Sequence, residues 1–131
     1  MNELDLKAMG ITAINQTLYK LPKDTNERHW IIRNPMGQHA IACGLDAPLQ
    51  VDIQGHVGFY CGGMNKHAEI TIHGHAGVGL AENMMSGVVW VKGNASESAG
   101  ATANGGLIVI EGDASSRCGI SMKGVDIVVG G

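Results

Sequence analysis

Three groups of side chains have the types and spacing to do chemistry. The first is a column in which His56 and His75 stand 19 residues apart, continued at the same interval by Asn94 and Asp113, with His73 beside them. If 19 residues make one structural repeat, the two imidazoles lie one strand spacing apart, about 5 Å, and imidazole is a ready ligand for zinc-like ions. The same column also reads as a polar turn held by hydrogen bonds along the stack. The second group is Cys61 with Tyr60, Lys66 and His67, the set that a thiol nucleophile and a nearby base would need; a buried thiol is the plainer reading. The third is Glu82, within Ala81-Glu82-Asn83-Met84-Met85-Ser86, which could line a partner's active site or tunnel; a solvated or corner carboxylate is the plainer reading. His39 and His67 have no counterpart in the repeat and read as structural. The stretches Gly58–Gly63 and Gly74–Gly79 resemble phosphate loops only in glycine content. No Gly-Lys-Ser/Thr follows them and no strand-to-helix junction contains them.

None of these groups completes an active site, so no catalytic, cofactor-binding or metal-binding residue is assigned to the chain itself. Bulk properties narrow the function further. A formal charge of −3 without a basic cluster lacks the electrostatic footprint of a nucleic-acid binder. No apolar run approaches the roughly 20 residues that cross a bilayer, and the start, Met1-Asn2-Glu3-Leu4-Asp5, is unlike a signal peptide; a cytoplasmic location is expected. Cys43, Cys61 and Cys118 are odd in number, widely spaced and free of Cys-x-x-Cys, which argues against both a disulfide framework and a zinc site.

The elements that must position these residues come from one periodicity. Gly55, Gly74, Gly93, Gly112 and Gly131 recur every 19 residues. Before each stand two β-branched aliphatics in alternation: Val51/Ile53, Ile70/Ile72, Val89/Val91, Ile108/Ile110 and Ile127/Val129. After each come small residues suited to corners, Val57, Ala76, Ala95 or Ala114 and then Gly58, Gly77, Ser96 or Ser115, with Gly62, Ala81, Gly100 and Gly119 further on. Nineteen residues are too few for a strand plus crossover helix, which takes about 30 or more. Each unit is therefore a coil of strand and corners that buries its inner side chains only by stacking on its neighbours. The fold predicted is all-β, a right-handed parallel β-helix, with handedness taken from the general preference of parallel crossovers. Twenty glycines and only five aromatics suit so thin a core. A leucine-rich solenoid is excluded because residues 55–131 contain only Leu80 and Leu107.

Upstream the period degrades. Trp30 to Gly37 reads as an irregular first coil, with Gly37 placed 18 residues before Gly55. Residues 12–20 place Ile14 and Leu18 one helical turn apart behind Thr12 as N-cap, which predicts a short helix plugging the open first coil. Residues 21–27 are a polar linker. The chain thus divides into an N-terminal extension, 1–27, and the glycine-repeat β-helix, 28–131.

Two outward columns carry the partner expectation. Three residues before each glycine the column runs Asp52, Thr71, Trp90, Val109, Val128; five before, it runs Gln50, Glu69, Val88, Leu107, Asp126. Val88, Trp90, Leu107, Val109 and Val128 would make one apolar face, too large to leave exposed on a soluble monomer. Either the N-terminal helix or a corner segment covers it, or it is a subunit interface. The repeat also stops at its own boundary at Gly131, so either further coils or another chain are expected to complete the stack.

The run from Gly74 to Gly87, the elements Gly93-Asn-Ala, Ala103-Asn-Gly-Gly106 and Gly112 to Gly119, and Met122-Lys-Gly124 resemble the glycine-repeat (GXGXG) β-helix domain that closes the large subunit of glutamate synthase. Asn34 to His39, Gly44 to Pro48 and Gly55 to Gly58 look most like the stand-alone form associated with N-methylglutamate synthase (methylamine–glutamate N-methyltransferase). The resemblance covers residues 28–131. It implies a non-catalytic scaffold subunit that binds no cofactor itself. Its expected partners are an FMN-bearing synthase subunit and a glutaminase-like subunit. The sequence departs from the pattern in two ways: relatives continue for several coils beyond the equivalent of Gly131, so a fragment is expected, and position 81 is Ala where the longest form of the motif has Gly. A β-helix subunit of a formylmethanofuran-dehydrogenase-like complex is a competing reading that residues 34–48 disfavour, and a self-assembling homo-oligomer is another.

Overall fold

A computed structural model describes residues 2–114 and 124–130; Ser115, Cys118, Gly119 and Gly131 lie outside them. Within these residues seven strands form one parallel sheet in chain order: β1 (Asn2–Asp5), β2 (His29–Arg33), β3 (Gln50–Gln54), β4 (Glu69–Ile72), β5 (Val88–Val91), β6 (Leu107–Ile110) and β7 (Asp126–Val129). Among the described residues one helix, α1 (Ile11–Tyr19), lies between β1 and β2. The architecture is the predicted parallel β-solenoid, and its register follows the repeat: Val51, Ile70, Val89 and Ile108 face one another, as do Ile53, Ile72, Val91 and Ile110. All eight are fully buried. Full burial of such a side chain contributes about 1.5–3 kcal/mol, so two uninterrupted ladders supply much of what stabilises coils otherwise rich in glycine. Val57, Ala76, Ala95 and Ala114 form a third ladder of isolated parallel bridges at the first corner, where only small residues fit.

The first coil is longer than the repeat. Trp30 pairs with Val51 and Ile32 with Ile53, an offset of 21. Gly37 is therefore not the counterpart of Gly55. Its N–H donates to His56 O, as Val57 donates to His75 O one coil on, so it belongs to the Val57 column. One of the two extra residues is taken up at Asn34-Pro35-Met36, where Asn34 and Met36 are left-handed (φ 57° and 46°), and the other between Asp46, which pairs with Lys66, and Gln50, which pairs with Glu69.

The sheet also begins earlier than the repeat. Asn2–Asp5 pairs with Trp30–Arg33, a strand that the short, non-alternating stretch Asn-Glu-Leu-Asp does not announce. The helix forms as expected but starts at Ile11, with Gly10 at the N-cap and no side-chain cap; Thr12 lies within the first turn and is not the cap. Ile14 and Leu18 are buried in the core.

Asn15 fixes the helix to the next coil. Its Nδ2 donates to Ala40 O at 2.7 Å and its Oδ1 accepts from Ala42 N at 2.9 Å. In later coils the equivalent N–H groups, those of Gly62, Ala81 and Gly100, donate to Ile41, Cys61 and Leu80 carbonyls of the preceding coil. The Asn15 amide thus substitutes for the peptide that an earlier coil would have provided, as terminal repeats require. Asn15→Leu is expected to cost about 1–3 kcal/mol, because it strands a corner N–H and a carbonyl; urea unfolding checks this, and a change under about 0.5 kcal/mol, the scatter of a neutral surface substitution, would refute it.

Candidate functional site

The outward face of the sheet is graded from titratable to apolar. At one end Asp52, on β3, accepts from His29 Nε2 on β2 at 2.7 Å and from His73 Nε2, just beyond β4, at 2.9 Å. One carboxylate thus clasps imidazoles from the coils on either side. Burial raises the Asp52 pKa, but hydrogen bonds from His73 and His29 outweigh it and hold the carboxyl below the usual aspartate range. His73 therefore belongs to this clasp and not to the His56 column. The cluster escapes a 19-residue scan because His29 lies in the long first coil, 23 residues before Asp52.

The sign of the acid response follows. A carboxyl with a depressed native pKa stabilises the fold fully above its unfolded value, and the contribution is lost as pH falls through the native value. Wild type is expected to lose stability in acid more steeply than Asp52→Asn, measured by urea midpoints across that range; parallel pH profiles would contradict it.

At the other end Trp90, Val109 and Val128 follow Thr71 in register, and Leu107 follows Val88. Trp90 is 38% exposed and Val128 53% exposed, while Val88, Leu107 and Val109 are half-buried. The helix does not cover this face, since Asn15 ties it to the corner at residues 40–42. Trp90 instead donates its indole N–H to Glu111 at 2.5 Å, and Lys92 sits 4.4 Å from its ring centroid while pairing with Glu111 at 3.0 Å. Lys92, with the indole N–H, holds the Glu111 carboxyl below its ordinary value.

The His56 column is a hydrogen-bond ladder. His56 Nδ1 accepts from His75 N, His75 Nδ1 from Asn94 N, and Asn94 Oδ1 from Asp113 N, each at 2.8 Å. The two rings stack at 4.8 Å and 10°, the spacing of the coils. His39 does the same one corner on, accepting from Phe59 N at 2.7 Å. Each Nδ1 is committed as an acceptor, and among the described residues no group of three or more His, Cys, Asp and Glu is placed to hold a metal ion. The polar-turn reading of His56, His75, Asn94 and Asp113 is the one the geometry supports.

The second corner has the same left-handed backbone in every coil. Three positions per coil, spaced by two, are left-handed: Ala40, Ala42 and Gly44; Tyr60, Gly62 and Met64; Gly79, Ala81 and Asn83; Ser98, Gly100 and Thr102. Along this zigzag successive N–H groups donate alternately to the coils on either side, as Tyr60 N does to Val78 O and Gly62 N to Ile41 O. Glycine suits left-handed backbone, yet it fills only one of the three positions in each coil, Gly44, Gly62, Gly79 and Gly100, and Ala81 occupies its position in the same conformation.

This corner disperses the proposed thiol site. Cys61 is fully buried, and burial pushes its thiol pKa up, the setting of a core thiol. Tyr60 points outward, and His67 lies 3.9 Å from Asp46. Cys43 donates to Tyr60 O at 2.9 Å, its thiol also raised by burial. Cys43, Tyr60, Gly63, Met64, Glu82 and Asn83 line a shallow groove of about 270 Å³.

The chain is similar to Protein GlxC of Rhizobium meliloti (strain 1021). The two are 51% identical over 65 residues, a stretch that makes up 50% of this chain and 28% of that protein. No protein-family profile and no solved structure matches the chain. Among the described residues no helix is long and apolar enough to cross a membrane.

Proposed function

We propose that this chain is a non-catalytic β-helical scaffold subunit of a glutamate-synthase-like, amine-transferring flavoenzyme complex, with N-methylglutamate synthase as the specific assembly. In that complex an FMN-bearing synthase subunit and a glutaminase-like subunit carry the chemistry, and this chain holds them in place. The observation that carries the reading is the second corner. In Gly77-x-Gly79-x-Ala81 the last two positions are among the left-handed ones that let each coil bond to both neighbours, and Gly77 lies against the Gly58 backbone of the adjacent coil, so the motif is accounted for by building a rigid stack without binding phosphate.

Two further observations support it. The polar side chains with the most suggestive spacing are already committed to the stack, His56 and His75 as acceptors of backbone amides. The apolar end of the outer face, Val88, Trp90, Leu107, Val109 and Val128, is exposed or half-buried on a rigid sheet, the form that a subunit interface takes. A central tryptophan on such a face is a natural anchor for binding energy.

Trp90→Glu tests the interface. In cells that make the whole complex, the tagged wild-type chain is expected to co-purify with a flavin-bearing subunit. The variant, which gives up the Trp90 contacts with Glu111 and Lys92, is expected to lose some stability while still unfolding cooperatively in urea, and to lose at least about tenfold of that partner, the scale of one anchor residue. Equal recovery of the flavin subunit by both chains would remove this face from the assembly.

A further inference from the structure

Asparagine is among the thermally labile side chains. Its weakest setting is before glycine, where no side chain shields the following backbone nitrogen from the asparagine's own amide carbon. The chain has one Asn-Gly pair, Asn104-Gly105. It lies in the bend that leads into β6, with Asn104 exposed and Gly105 half-buried. The glycine is fixed by the stack, because a Cβ at Gly105 would stand 2.5 Å from Met85 O of the preceding coil. A larger residue at position 105 therefore cannot relieve the pair.

A hydrogen bond on either reacting group would hold such a pair inert, and at this bend the repeat supplies neither. One coil earlier, Ser86 occupies the position of Gly105. It donates its N–H to Asn65 O at 3.2 Å, and its hydroxyl accepts from His67 N at 2.9 Å. Among the described residues, neither the Gly105 N–H nor the Asn104 side-chain amide makes a hydrogen bond. Other asparagines of the stack are held. Asn94 Oδ1 accepts from Asp113 N at 2.8 Å, Asn83 Oδ1 accepts from the Thr102 hydroxyl, and Asn65 Nδ2 donates to Ala68 O at 2.8 Å. The residues that follow these three, Ala95, Met84 and Lys66, all carry side chains.

We propose that Asn104 is a site of spontaneous covalent modification, converting to an aspartyl or isoaspartyl residue without an enzyme. The Gly105 nitrogen bonds to the Asn104 side-chain carbonyl carbon, the side-chain nitrogen leaves as ammonia together with the Gly105 proton, and a cyclic imide closes. Water then opens the ring, its hydroxyl going to one of the two carbonyl carbons and its proton to the Gly105 nitrogen. Opening at the side-chain carbon leaves an aspartyl residue. Opening at the main-chain carbon leaves an isoaspartyl residue, with Gly105 joined through the side chain and one methylene added to the backbone. The bonds from Leu107 N to Gly87 O and from Asp126 N to Gly106 O, 3.0 and 3.1 Å, lie just beyond, so the added length falls where β6 comes into register with β5 and β7.

The test keeps the full chain folded in mildly alkaline buffer, with a parallel sample in urea, and follows the peptides spanning Asn83, Asn94 and Asn104 over time by liquid chromatography and mass spectrometry. In the folded chain the Asn104 peptide is expected to gain the mass of an amide-to-acid conversion and to split into aspartyl and isoaspartyl species, while the Asn83 and Asn94 peptides keep their amides. Asn104→Gln, whose longer side chain closes the ring far less readily, is expected to lose both new species. An Asn104 peptide that stays intact in both samples, or that converts only in urea, would overturn the proposal, because the pair would then be inert or protected by the fold. Conversion at Asn83 or Asn94 as fast as at Asn104 would overturn it too, since the missing hydrogen bonds and the following glycine would not be what singles out this site.

Discussion

Ile72→Ala is expected to lose about 2–5 kcal/mol of stability, the cost of emptying a fully buried isoleucine site that cannot collapse. Ile72 stands in the inner ladder between Ile53 and Val91, both themselves completely buried. The ladder leaves the cavity little chance of being filled, because each neighbour is held in register by its own strand. Urea unfolding measures the loss. Trp90→Ala is the instructive comparison: the residue is larger, but it is exposed and on the outer face, so its loss is expected to fall well short of that of Ile72→Ala. Equal costs would mean that inner and outer faces have been confused.

Gly77→Ala is expected to be destabilising for steric reasons alone. A Cβ at Gly77 would lie 2.8 Å from both the carbonyl carbon and the oxygen of Gly58, backbone atoms of the coil beneath that cannot rotate away. The two coils would have to part there, disturbing the Gly77 N to Val57 O bond of 3.0 Å. Overpacking of this sort costs about 1–3 kcal/mol, occasionally more. Gly62 separates the two roles of glycine in the motif. It is left-handed at φ 68°, yet a Cβ there would meet Ile70 and Val89 at an ordinary 3.4 Å. Gly62→Ala should therefore lose only the conformational term, about 1–2 kcal/mol. If Gly62→Ala proves clearly worse than Gly77→Ala, close approach is not what Gly77 provides.

The strand ladders are legible in the sequence because both ingredients are strictly periodic: β-branched residues in alternation, and a glycine at a constant interval. The outward columns follow from the same register, so Val88 and Leu107 pair as expected, as do Trp90 and Val109. The first coil is where the reading loses its place. Its pairing offset is 21, which hides Gly37 in the wrong column and conceals that His29 and His73 meet at Asp52. β1 is invisible because four residues, Asn-Glu-Leu-Asp, show one apolar side chain and no alternation; it is a strand only because β2 offers it an edge.

The corners are legible as small residues but not as conformations. Tyr60, Met64, Ser98 and Thr102 are left-handed at positions where their types argue against it, since the coil-to-coil hydrogen bonds on either side dictate the backbone there. For the same reason His56 and His75 look like ligands by spacing alone. Only the placement of His75 N and Asn94 N, 2.8 Å from the imidazole Nδ1 atoms, shows that the column is taken up by the stack itself.

The most direct test of the scaffold proposal is the intact mass of the assembly isolated from its native source, recorded together with its flavin absorbance. The proposal predicts that the chain travels in a complex with larger subunits, that the complex carries FMN, and that the flavin stays with those subunits when this chain is separated from them. A chain that runs alone, or only with copies of itself and without flavin, would contradict it.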